Sequence, residues 1–258
     1  MPGNALVLFL QAVSLLGSGL TAIKLFRSGL YRRYRVFFWY FVLRIVDGIW
    51  PLVLPLKSHL YFWLYVITVP VNWVFYILVV RELVGLVLEK YKGLYTLGRW
   101  AMYFSLAVSV TLSILSFLPR FTPTTPQRSK GIGLLVATDR GVTFCLAIFL
   151  VLMLFLVSRY PVSLGRNVVV HTALYTMFFL SNTLSGLLKT VFGVRLYAAA
   201  DTGLMGVAAA CAFAWFFLLS PKGEEIQVHL PSYGPESEKR ILLQLDSLNR
   251  TLLKVSRK

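Results

Sequence analysis

The chain has 258 residues, 57% of them hydrophobic and only 14% charged, a mean hydropathy of +0.72 and a formal net charge of +16. So apolar a composition with so few charges excludes an ordinary soluble domain. The positive charge does not point to nucleic acid, because the Lys and Arg, all but Arg44, lie in caps between apolar runs rather than on one soluble face; they read as orientation signals and contacts to anionic lipid headgroups.

Seven apolar runs follow one another: residues 5–26, 36–56, 60–80, 100–118, 142–158, 167–188 and 196–219. Each is close to the ~20 residues that a helix needs to cross a bilayer. Continuous apolar character, rather than alternation, selects helices over barrel strands. The expected fold is all-α: a polytopic membrane protein with seven transmembrane helices over residues 1–220, a linker at 221–235, and a short amphipathic tail helix at 236–258.

Run one has no Lys or Arg before it, whereas Lys24, Arg27, Arg32, Arg33 and Arg35 lie at or just past its end. The positive-inside bias puts the N-terminus outside and the first loop in the cytoplasm. Positive charges after the apolar core reverse the order of a cleavable signal peptide, so the run is expected to be retained.

Run two holds Arg44 and Asp47. Their spacing of three puts both on one helical face near mid-membrane, close enough to pair, and Asn72 of run three falls at a comparable depth. Charges at that depth cost several kcal/mol. Arg44, Asp47 and Asn72 therefore form a candidate intramembrane polar node. It is either a neutralised structural pair pinning helix two to helix three, or a site for an anion or a proton. Pro51, Pro55 and Pro70 predict kinks. Arg81, Glu82, Glu89 and Lys90 read as a mixed-charge extension of helix three into the cytoplasm. Trp39, Tyr40, Tyr61, Trp63 and Trp100 read as an interfacial belt.

In run four, Ser105, Ser109 and Ser113 form a small-residue packing stripe. Residues 119–141 then form an outer loop with Pro119, Pro123 and Pro126, either a solvated cover or a ligand-gathering lid. Its weakly apolar stretch 131–138 is an interfacial helix or an outward extension of helix five, while Asp139 and Arg140 argue against an earlier start of the membrane span. In run six, His171, Tyr175 and Asn182 share one face, the candidate interior polar face. His171 is expected to be a hydrogen-bonded packing residue, since no second His or Cys stands at ligand spacing. Asn182, with Ser181 and Ser185, suggests interhelical hydrogen bonds. Asp201 begins run seven and suits a helix N-terminus. Cys145 and Cys211 are expected to be small packing residues without a disulfide.

Seven crossings place the C-terminus in the cytoplasm, and that side then carries 18 of the 26 Lys and Arg. In the tail, Ile241, Leu245, Leu248, Leu252 and Val255 are spaced 4, 3, 4, 3, a heptad seam. This candidate association seam pairs with another copy or a partner helix, or else rests on the inner leaflet.

Several classes lack their signature. Run seven has no lysine for a retinal Schiff base, and runs one to three share no proline pattern with runs five to seven of the kind that seven-helix sugar transporters built from two repeats would show. Without paired acids, a His cluster or a nucleophile with its base, no enzyme is expected, and no catalytic, cofactor-binding or metal residues.

Residues 61–103 (YFWLYVITVPVNWVFYILVVRELVGLVLEKYKGLYTLGRWAMY), 158–175 (SRYPVSLGRNVVVHTALY) and the tail segments EEIQV and RILLQLDSLNRTLL resemble an uncharacterised bacterial family of seven-helix membrane proteins. That resemblance implies topology and a bacterial inner (cytoplasmic) membrane, and no chemistry. Two functions are carried forward. The first is a non-enzymatic sensor, scaffold or assembly subunit acting through its cytoplasmic tail. The second is a small-solute or ion transporter using the mid-membrane node. A water-filled path to Arg44 favours transport, and a sealed bundle favours the scaffold.

Overall fold

The computed structural model describes residues 2–54, 58–88, 92–117, 127–159, 164–192, 194–225, 227–228, 243–244, 246–247 and 250. It contains seven long helices: α1 (Pro2–Arg27), α2 (Arg35–Val53), α3 (His59–Val87), α4 (Lys92–Phe117), α5 (Gln127–Arg159), α6 (Arg166–Phe192) and α7 (Val194–Leu218). All seven are long and apolar enough to cross a membrane. The molecule is inverted relative to a soluble protein, with Phe104 and Phe217 more than 70% exposed on its rim. In lipid those side chains face a solvent as apolar as they are. The protein is a multi-pass helical membrane protein.

Contacts at matched heights show that successive helices alternate in direction. Asn72 of α3 meets Asp47 of α2, Ser109 of α4 meets Gly141 of α5, and Ser185 of α6 meets Ala200 of α7. The face where α1 begins is called the N face below, and the opposite one the C face. α1, α2, α3, α5, α6 and α7 close a ring of neighbours, and α4 leans on α5 and α3 from outside. Small residues set the tightest approaches. A Cβ on Gly17 would lie 3.1 Å from Ala212, so α1 and α7 pack nearly backbone to backbone. The serine stripe of α4 behaves likewise: Ser109 donates to the Gly141 carbonyl at 2.8 Å, and Cys145 lies 3.4 Å from Ser105. Both cysteines are buried free thiols.

Helix ends show where charge is used. Glu82 does not extend into water. Its two carboxylate oxygens accept from the Val36 and Phe37 amides at 3.1 and 3.2 Å, so α3 supplies the cap and the negative charge for the N-terminus of α2. Lys24 donates to the Phe216 carbonyl and sits over its ring, satisfying the end of α7.

The stretch 131–138 is an outward extension of helix five, since α5 begins at Gln127. Several other expectations change. The membrane-length span of α5, Gly131–Phe155, includes Asp139 and Arg140. These charges are tolerated because they face the ring: Trp73 donates to Asp139 at 2.7 Å, and Arg140 lines internal cavities. α7 starts at Val194, so Asp201 lies two turns in, paired with Lys189 rather than capping the helix. Tyr40 is buried in the core, while Trp39, Trp63 and Trp100 are exposed. Pro51 and Pro70 lie inside α2 and α3. The start of the expected linker is folded: Pro221–Glu224 is a 3-10 turn, and β2 (Gln227–Val228) pairs antiparallel with β1 (Leu164–Gly165). Pro55, Pro119, Pro123, Pro126, Glu89, Lys90 and the seam residues Ile241, Leu245, Leu248, Leu252 and Val255 lie outside the described residues.

Candidate functional site: a one-sided polar cavity

Two polar cavities lie between the helices toward the N face, and aromatic side chains pack together toward the C face. The deeper one, about 250 Å³, lies between α1, α2, α6 and α7 and is lined by Gln11, Ser14, Arg44, Asp47, Asn182 and apolar walls. The outer one, about 270 Å³, lies between α3, α5, α6 and α7 and is lined by Asp139, Arg140, Lys189, Tyr197 and Asp201. Asn182 lines both. Lys189 stands seven residues along α6 toward the N face, about 10 Å from Asn182. The two cavities thus lie at two levels, with Asn182 between them.

The node residues meet in part. Asn72 donates to Asp47 at 2.6 Å and to the Thr68 carbonyl at 3.0 Å. The second Asp47 oxygen has no hydrogen-bond partner. Arg44 and Asp47 make no ion pair, although each is among the other's electrostatic neighbours, with Tyr40 and Tyr76 also beside Arg44. The Arg44 guanidinium lines the deep cavity with no hydrogen bond or ion pair to any described residue.

The interior face of α6 divides between two roles. Asn182 does not bridge helices; it lines both cavities. Ser185 does bridge, donating to the Ala200 carbonyl at 3.3 Å. His171 and Tyr175, nearer the C face, sit in an aromatic plug. Phe37 meets the His171 ring edge-on at 4.2 Å, Tyr34 lies 4.6 Å from it, and Trp215 lies 4.7 Å from Tyr175. Contrary to expectation, among the described residues neither His171 nitrogen has a hydrogen-bond partner, nor does the Tyr175 hydroxyl. The plug continues through Phe179 to Tyr76, and Tyr76 and Phe178 are also the floor of the deep cavity. Among the described residues, no group of His, Cys, Asp or Glu is arranged to hold a metal.

No family model, curated protein or solved structure matches the chain.

A clasp closes the C face beneath the plug. Buried Asn167, at the start of α6, donates to the Ser220 carbonyl at 2.8 Å and to Glu224 at 2.6 Å. Glu224 also accepts from the Tyr34 hydroxyl at 2.6 Å and pairs with Arg33 at 3.1 Å. Burial, and next the Glu224 carboxylate, hold the Tyr34 phenol far above its ordinary range, so it remains a donor. This arrangement was not legible in the sequence, because its three parts, at 33–34, 167 and 220–224, stand more than 50 residues apart and none is unusual alone. Of the aromatic plug, the sequence singled out His171 and Tyr175 but not their packing partners.

Proposed function

We propose that the protein is a small-solute transporter whose site opens to the N face and is closed at the C face. The supporting observation is a pair of polar cavities toward the N face that share Asn182, the deeper lined by Arg44, with aromatic side chains packed beyond. An intramembrane cation beside a cavity is costly unless it serves a passing or bound solute. With the orientation expected from the basic residues, the N face is the outer face of a bacterial inner membrane, and the cavities face outward. Shrink–swell measurements on proteoliposomes challenged with glycine, lactate, phosphate and choline test this reading. Wild type is expected to pass at least one solute faster than protein-free vesicles, and Asn182→Trp, which fills the junction, to abolish the gain. Equal rates for wild type, Asn182→Trp and empty vesicles would contradict it.

A second reading, a sensor, scaffold or assembly subunit acting through its tail, is favoured by a different observation. The root of the tail is clasped to the first loop and to α6 by Glu224 and Asn167, which ties it mechanically to α6. Crosslinking of full-length protein, lost in the Leu245→Asp/Leu252→Asp double variant, tests it; unchanged crosslinking would exclude the seam.

A further inference from the structure

We infer that the deep cavity is a binding site for a small organic monoanion, a carboxylate seated on the Arg44 guanidinium. This rests on the transport reading and names its substrate class. Arg44 is a cation at mid-bundle whose nearest acid, Asp47, is turned to Asn72 instead. No hydrogen bond or ion pair joins it to a described residue, and the cavity in front of it has room for one small molecule. A bound carboxylate supplies the hydrogen-bond acceptors that the guanidinium lacks. A guanidinium is a planar fork of donors that matches a carboxylate in two parallel hydrogen bonds.

Two further donors line the same space. The Ser14 hydroxyl and the Asn182 amide have no hydrogen-bond partner among the described residues. The remaining walls are apolar, including Leu15, Phe178, Leu204 and Met205. That combination suits an organic acid with a short apolar body better than a hydrated inorganic ion. The Asp47 carboxylate three residues away limits the guest to one negative charge, since a dianion adds a second repulsion in a region of low dielectric. Asn182 also borders the outer cavity, so the same amide that lines the site stands at its entrance.

The test is calorimetric titration of the full chain in nanodiscs with butyrate, decanoate and inorganic phosphate. Carboxylate binding is expected, with at least a tenfold loss in Arg44→Gln and a smaller loss in Arg44→Lys, which keeps charge without the fork. Leu204→Trp, which fills the cavity and leaves Arg44 in place, is expected to remove binding while the protein keeps its helical content and melting temperature, so a loss there cannot be ascribed to unfolding. Butyrate binding identifies an aqueous solute, and binding of decanoate alone identifies a fatty acid from the bilayer. Preference for phosphate, or carboxylate binding unchanged in both Arg44→Gln and Leu204→Trp, overturns the assignment. No carboxylate binding while solute permeation in proteoliposomes still depends on Asn182 overturns the carboxylate class and leaves the transport reading standing. Loss of both overturns both.

Discussion

At the scale of single residues, two buried polar groups four positions apart on α6 behave oppositely. Asn167 is fully enclosed and its amide group serves three hydrogen bonds, two donated and one accepted from the Ser220 amide at 3.4 Å. His171 is equally enclosed and makes none. A buried polar atom left unpaired costs about 1–3 kcal/mol, whereas replacing it by an apolar group of like shape removes that cost. His171→Leu is therefore expected to melt no lower than wild type in detergent, and Asn167→Ala to melt several degrees lower. A marked loss in His171→Leu would show a partner for the imidazole and refute the packing account. The sequence singled out His171 as a polar group in an apolar run but not Asn167, and it did not show which one is satisfied. That depends on Ser220 and Glu224, which lie 53 and 57 positions away. Arg44 teaches the same lesson at shorter range: the i, i+3 spacing was legible, but not that Asp47 turns to Asn72 of the next helix.

At the scale of elements, the seven helices were legible because a bilayer imposes both length and apolar character on every span. The ends were less so. Asp139 and Arg140 appeared to exclude an early start for α5, yet the helix carries them into a cavity, a destination that hydropathy cannot register. Glu82 read as solvated charge for a related reason: its use as a cap depends on α2 starting opposite it. Removing that cap tests the point. Glu82→Ala is expected to lower stability by about 1–2 kcal/mol, a shift of a few degrees in melting temperature, with Glu82→Gln partly restoring it through its remaining amide oxygen. No shift in either variant would mean that the α2 amides find water instead.

At the scale of the whole molecule, the sequence indicated a bundle but not that its two halves differ. The difference arises from how polar and aromatic residues sort by height. Those of α1, α2, α6 and α7 nearer the N face leave cavities around Asn182, and those nearer the C face interlock around His171 and Trp215. This sidedness is the central claim, and thiol accessibility tests it most directly. In a Cys145→Ala/Cys211→Ala background, Ser14→Cys and Asn182→Cys mark the cavities, and Ala212→Cys, a near-isosteric change at a buried position, marks the closed half. With a small membrane-impermeant thiol reagent applied to either face of sealed, oriented vesicles, Ser14→Cys and Asn182→Cys are expected to react from the N face only, and Ala212→Cys from neither. Ser14→Cys as inert as Ala212→Cys, or Ala212→Cys reacting readily from the C face, would contradict it.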